Sequence, residues 1–458
     1  MELNEREIVV QRTYRQFDLI KYISAKLLKE LKPDEIPIRF VITRTSNKEF
    51  FCEAGILSGK NIHPFLLQES IFKFNKRKIE NTEQFNTVLI IPTGIGAEIG
   101  GHSGDGNTIA RLISASCDNL ITHPNVVNAS DINEMTENTL YVEGSIITRL
   151  IMGEIGLQKV RSNRILMLMD KHEDQLFNNE IINAVSSARV TLGINCEVLR
   201  LDNTIRSISK YSSSGRAVGT IAYLERLFNI INQYKSNYSA IGLSTLIEVP
   251  DHFHMEYFEN NDMINPWGGI EAMLTHSIAM TYNIPCAHSP IMTSREIMDL
   301  EVGIVDPRKA PETASIAYLH SVLKGLHQSP KIVNKDKGIN VEHISCLIQP
   351  YGCLGLPTLA ALEQEIPVIA VKENKNRMEN RLEELPFAEG KLFIVENYLE
   401  AVGVMNAIKM GISIDTVRRP IEYTKLLNLN GQELNSLEYT YNKEVPKEKS
   451  QKSRKPSN

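Results

Sequence analysis

The chain reads as an α/β protein: mostly parallel sheets with helices on both faces, two βαβ halves set to face one another across a cleft, and a small N-terminal α+β unit. Three observations lead there. From Val88 onward, short apolar runs alternate with helical patterns, as in parallel sheets covered on both sides. The run Val88–Ile91 stops at Pro92 and breaks into glycines before a helix. Finally, Ser345–Asn376 repeats that grammar in shortened form.

Residues 1–80 form the expected α+β unit. A helix from about Phe17 to Leu31 carries Leu19, Ile20, Ile23, Leu27 and Leu28 at helical spacing, and strands follow near Phe40–Thr43 and Phe51–Leu57. Polar Lys76–Asn86 serves as a linker to a core domain, residues 85–425, with room for two lobes. In it, strands are expected at Leu120–Thr122, Ile165–Met169, Cys196–Leu201, Ala240–Val249, His343–Gln349, Val368–Val371 and Leu392–Val395. Helices are expected at Arg216–Tyr234, Gly269–Tyr282, Glu312–His327, Thr358–Gln364 and Leu399–Met410. Residues 430–458 are lysine-rich toward the end and poor in apolar residues, which predicts a disordered tail.

Composition bounds the function. The 458 residues are 42% hydrophobic and 23% charged, with a formal net charge of −5. No basic excess points to nucleic acid, and no apolar run approaches membrane-spanning length. Six cysteines (52, 117, 196, 286, 346 and 353) lack CxxC spacing and sit in apolar contexts. They read as reduced thiols in a cytoplasmic protein. The expected partner is a small anionic metabolite, not nucleic acid or membrane, and a homo-oligomer is compatible with the composition.

The glycine loop carries the first candidate site. Thr93, Gly94, Gly96, Gly100 and Gly101 follow the strand, and a helix follows them. Glycines let backbone N–H groups approach a ligand, and a helix N-terminus adds partial positive charge. Either an anion cradle or a purely structural turn accounts for the pattern. Gly94-x-Gly96-x-x-x-Gly100 misses the dinucleotide spacing because Ile99 takes the third place, and no phosphate loop of the GxxxxGK[ST] form occurs. No cofactor is assigned. Asp105, His123, Asn125 and Asn128 cluster near the loop and the end of the next strand, where α/β sheets place ligands. His123-Pro124-Asn125 is also turn chemistry. The shortened copy contributes Gly352, Gly355 and Asn374.

Asn265–Pro290 is dense in chemistry. It holds the only tryptophan, Trp267, a Gly-Gly helix entry, then Glu271, His276, Cys286 and His288. Cys286 and His288 alternate along one strand face, so a thiolate–imidazolium pair is geometrically open, although a catalytic cysteine more often finds its base far away in sequence. His276 alone is compatible with an ordinary helix histidine. His252, His254 and Glu256 would share one side if extended, as a two-His-one-carboxylate site needs, whereas Pro250 and Asp251 favour an exposed loop. Ser212–Gly219 reads as a serine-capped helix start, or as a phosphate cup with Arg216. No residue is assigned to a metal.

IPTGIGAEIGG, LITHPNVVNASDINEM, LYVEG, NPWGGIEAM and PCAHSP together resemble the domain of unknown function 3326 family, over about residues 85 to 375. The resemblance implies that these segments belong to one fold. It supplies no reaction and no catalytic residue, and it weakens His102 as a ligand. The leading expectation is an enzyme, a lyase, isomerase or transferase, acting on a phosphorylated or carboxylated metabolite through His123, Glu271, His276, Cys286 and His288. A non-catalytic binding or regulatory protein and a metal-dependent hydrolase are the alternatives.

Overall fold

The computed structural model describes residues 1–12, 18–59, 70–102, 104–202, 204–314, 318–421 and 423–433. The expected tail therefore lies mostly outside the described residues. Contacts group the described chain into two units, Met1–Lys409 and a short C-terminal one from Met410. The first unit is a mixed α/β fold.

Two large sheets organise it. One is six-stranded and wholly parallel, in the order Leu392–Val395, Val368–Val371, Ile344–Pro350, Asn86–Leu89, Asn119–Thr122, Thr139–Tyr141. Its central strands are buried throughout, which explains why they read as continuous apolar runs. The other sheet is curled and mixed. Its parallel part sets Cys286–Ile291 and Arg164–Asp170 on either side of Ala240–Glu248, with Asn195–Leu201 outside. Its antiparallel part joins Glu2–Gln11, Glu35–Thr45, Glu49–Ser58, Arg206–Tyr211 and Ala217–Ala222.

Several expectations change. The two glycine-turn units do not face each other, because Leu347 pairs with Val88 and their strands are neighbours in one parallel sheet. Glu2–Gln11 is an unanticipated strand, with Leu3, Ile8 and Val10 buried. Arg216–Tyr234 is not one helix. Ala217–Ala222 is a strand, Tyr223 turns the chain at φ 63°, and the helix runs Leu224–Tyr234. Within 312–327 the helix is Leu319–His327, preceded by a 3₁₀ turn at Ala310–Thr313. His252 and His254 lie on the helix Asp251–Glu259, so the alternation needed for a two-His-one-carboxylate site is absent. Among the described residues no group of three His, Cys, Asp or Glu side chains is placed to hold a metal ion, and no helix is long and apolar enough to cross a membrane.

The helix Gly268–Tyr282 is apolar nearly all round and buried along its length, as expected of a helix inside a core. Its first turn is pressed onto its neighbours. A Cβ on Gly269 would lie 1.7 Å from the Ala217 carbonyl oxygen, and one on Gly268 would lie 2.1 Å from Thr93 Oγ1.

The glycine loop follows the same logic. Gly94 and Gly100 have φ of 71° and 76°, and a Cβ on Gly101 would fall 1.9 Å from the Ala97 carbonyl oxygen. These glycines admit neighbouring protein, not a ligand. Gly104 and Gly193 make a clean comparison. Both have positive φ, but a Cβ on Gly104 would meet Ala129 Cβ at 1.9 Å, whereas one on Gly193 meets nothing within 4 Å. Gly193→Ala should cost about 1 kcal/mol of backbone strain, and Gly104→Ala about 3 kcal/mol or more once overpacking is added. Equal losses in chemical denaturation would refute this account of the loop.

Candidate functional site

A cavity of about 470 Å³ opens at the carboxyl ends of the six-stranded sheet and of the parallel part of the mixed sheet. The six-stranded sheet supplies Pro92 and Thr93 after Asn86–Leu89, His123 after Asn119–Thr122, and Glu143 after Thr139–Tyr141. The other sheet supplies His288 and the residues up to Thr293 from Cys286–Ile291. The helix Gly268–Tyr282 lends Glu271, Thr275 and His276. This is where strand ends in α/β folds gather ligand groups.

Glu143 and His276 form the closest pair. Glu143 caps the helix Gly144–Ile151, accepting the Ser145 backbone N–H at 2.9 Å and the Ser145 hydroxyl. Its other oxygen, Oε1, faces His276 Nδ1 at pairing distance. Burial acts to raise the Glu143 carboxyl pKa, but His276 and Ser145 outweigh it and hold the group below the ordinary carboxylate value. With Nδ1 engaged, His276 keeps Nε2 for the cavity, since its side chain retains 16% exposure.

His123 has a different role. Its Nε2 accepts the Ile91 backbone N–H at 3.1 Å, so the proton of the neutral ring sits on Nδ1. Burial, with His276 nearby, pushes its pKa down to about 4. At neutral pH it is an uncharged donor. Glu271 and His288 make a second carboxylate–imidazole pair, with Oε2 and Nδ1 3.6 Å apart and His288 Nε2 2.9 Å from Thr245 Oγ1.

The other expected residues separate. Thr93, Asn125, Asn128 and Gly355 border the cavity. Asn125 Nδ2 is spent on the Ile91 and Gly100 carbonyls at 3.2 and 2.7 Å, and Asn128 Nδ2 on the Tyr141 hydroxyl at 2.9 Å. Gly94, Gly96, Gly100, Gly101, Gly352, Asp105, Asn374 and Cys286 do not border it. Asn374 clamps the loop through the Ile99 N–H and carbonyl, both at 2.9 Å. Asp105 accepts loop N–H groups while burial lifts its carboxyl to about 7. Cys286 lies beneath His288, and burial, then Glu143, drives its thiol well above the ordinary value. It is no thiolate. The Ser212–Arg216 cup is filled from within, since Ser212 and Ser214 donate to Glu53 and Arg216 pairs with Glu5 and Glu53. Glu143 was the residue missed. Its only signal was a glycine directly after a strand-ending carboxylate.

Most residues that border the cavity fall within one recognisable stretch of chain. A family model described as protein of unknown function (DUF3326) matches residues 86–418. The chain belongs to this family. It is also 30% identical, over 334 residues, to an "uncharacterized lipoprotein" of Synechococcus sp. (strain ATCC 27144 / PCC 6301 / SAUG 1402/1), a match covering 71% of this chain and 91% of that protein. No solved structure matches. The family span includes His123, Glu143, Glu271, His276 and His288 but not Glu5, Arg39 or Glu53.

Two predictions follow from burial. Cys286 should resist iodoacetamide in the native protein at pH 7.5 and react only after denaturation. Rapid native alkylation would show that the strand is not core. Asp170, fully buried beside His288, accepts the Leu246 N–H at 2.9 Å and leaves Oδ1 unpartnered. Burial raises its pKa from 3.8 to about 6. The folded state thus binds its proton more tightly, and this contribution is lost as pH rises through about 6. Asp170→Asn should stabilise by on the order of 1 kcal/mol or more at pH 8 and by almost nothing at pH 4. A melting-temperature gain that is the same at both pH values would contradict it.

Proposed function

We propose that the protein is an enzyme that moves a proton on a small molecule held in this cavity, with His276 as general base and His123 as hydrogen-bond donor. The supporting observation is the Glu143–His276 pair, which fixes one imidazole nitrogen and turns the other to the cavity. A carboxylate at Nδ1 orients the ring and stabilises the cation formed when Nε2 takes a proton. In the proposed step Nε2 removes a proton from carbon beside a carbonyl, and the C–H electrons pass into an enolate. The enolate oxygen receives the hydrogen bond of His123 Nδ1–H. An uncharged imidazole suits this task, because it donates without giving up its proton. Return of the proton to another carbon makes the reaction an isomerisation; expulsion of a β-substituent makes it a lyase reaction. A cytoplasmic location, compatible with six buried free thiols, belongs to the same proposal.

The test uses the purified chain in D₂O with a panel of aldehydes, ketones and 2-oxo acids, with loss of C–H signal followed by proton NMR. The parent should exchange at least one of them. His276→Gln and Glu143→Gln, melting as the parent does, should slow that exchange by about 10²–10⁴-fold. Exchange at the parental rate in His276→Gln, or no exchange anywhere in the panel, refutes the assignment.

A further inference from the structure

Arg216 borders the same cavity although its side chain is only 4% exposed. Its Nη1 is fully engaged, donating to Glu53 Oε2 at 2.5 Å and Glu5 Oε1 at 3.2 Å. Among the described residues Nε and Nη2 have no acceptor, and Nε is buried. Nε and Nη2 form the side-on edge of a guanidinium, whose two parallel donors match two oxygens of a carboxylate or phosphate. A buried donor with no partner is costly, so this edge marks a place where an acceptor is expected.

The surroundings hold that edge in place. Glu53 Oε1 is saturated by the Ser212 and Ser214 hydroxyls at 2.8 and 2.5 Å. Glu5 also takes Arg39 Nη2 at 2.9 Å. Two guanidinium groups and two carboxylates leave the cluster itself neutral. The added pull on an anion comes from the helix Leu356–Gln364, whose first turn borders the cavity beside Cys353 and Gly355. That turn has no side-chain cap and no acidic residue. The N-termini of Gly144–Ile151, Gly268–Tyr282 and Leu319–His327, which also reach the cavity, are already served, by Glu143, by Asn265 and Glu271, and by Asp131 on the His320 N–H. Uncapped N–H groups and the helix dipole favour negative charge.

We propose that the Nε–Nη2 edge of Arg216 and the open N-terminus of Leu356–Gln364 anchor a carboxylate or phosphate of the substrate, at a distance from the proton-transfer groups. This rests on the reading of the cavity as a substrate site, and it moves the anion from the glycine loop to Arg216. The helix Gly268–Tyr282 measures the separation. Gly269 is seated against Ala217, next to Arg216, and His276 follows seven residues later, about 10 Å along the axis at 1.5 Å per residue. Ile90, Pro92, Trp267 and Ala272 wall the same space. The substrate class is therefore an extended molecule with an anionic terminus, an apolar body and a reacting carbon about 10 Å away.

Isothermal titration calorimetry of the full chain with octanoate, octyl phosphate and octanamide tests this. At least one anion should bind, and octanamide should bind at least tenfold more weakly. The tighter of the two anions identifies the headgroup. Arg216→Lys keeps the charge but loses the fork, and should weaken that anion at least tenfold while leaving octanamide within twofold. Arg216→Gln combined with Glu53→Gln keeps the cluster neutral and should do the same. If neither variant folds, the ratio of anion to amide affinity in the parent decides. His276→Gln should leave every affinity within twofold, so proton exchange at the parental rate in that variant, with anion binding intact, sinks the catalytic reading alone. Octanamide binding as tightly as the anions, no anion binding by the parent, or parental anion affinity in both Arg216 variants overturns the anchor.

Discussion

The seat of the helix Gly268–Tyr282 is the constraint on which the rest of the site depends. Two consecutive glycines let its first turn press against the Ala217 carbonyl on one side and Thr93 on the other. Any side chain there would push the helix outward by more than a bond length. Because the helix is buried along its length, its rotation and rise are set by packing, and the polar side chains it carries have no freedom to search. Glu271 meets His288, and His276 meets Glu143, as results of that placement. The apolar faces of this helix therefore do as much for the chemistry as the ionisable groups themselves, since preorganisation is supplied by the packing.

Burial also divides labour among chemically similar groups. Five histidines border one cavity, and three of them are committed differently by their neighbours: a backbone N–H for His123, a carboxylate for His276, Glu271 and a threonine hydroxyl for His288. The same low dielectric acts in opposite directions on carboxyls. It lifts Asp105 and Asp170, and is overridden at Glu143 by His276 and Ser145 and at Glu5 by Arg39 and Arg216. Tautomer and charge are thus written into the backbone and packing around each ring.

Much of the fold was legible. The parallel sheet could be read because strands buried on both faces appear as plain apolar runs, and His123, Glu271, His276 and His288 could be placed because strand ends and a Gly-Gly helix entry are visible in sequence. What could not be read depends on long-range partners. The Glu2–Gln11 strand sets a polar run, Asn4–Glu7, before the apolar Ile8–Val10, and its Glu5 makes sense only once Arg39 and Arg216 arrive from elsewhere. Glu143 is indistinguishable from a surface carboxylate until His276 is beside it. The glycine loop misled for a related reason: a glycine that admits a ligand and one that admits another backbone leave the same trace in a sequence.

The six-stranded sheet has a consequence for how the chain is made. Its middle is built from Asn86–Leu89 and Ile344–Pro350, joined along a register that runs Leu347 against Val88. More than half of the chain separates the two. During synthesis the earlier strand emerges with one edge exposed, and that edge stays open until Ile344–Pro350 leaves the ribosome. An uncovered parallel edge invites pairing with other chains. The long intervening segment, with its own parallel strands and the helix that carries His276, can fold in the meantime. Arrival of the later strand then closes the sheet and brings Leu356–Gln364 to the cavity, so the site is completed only after the intervening segment has been made.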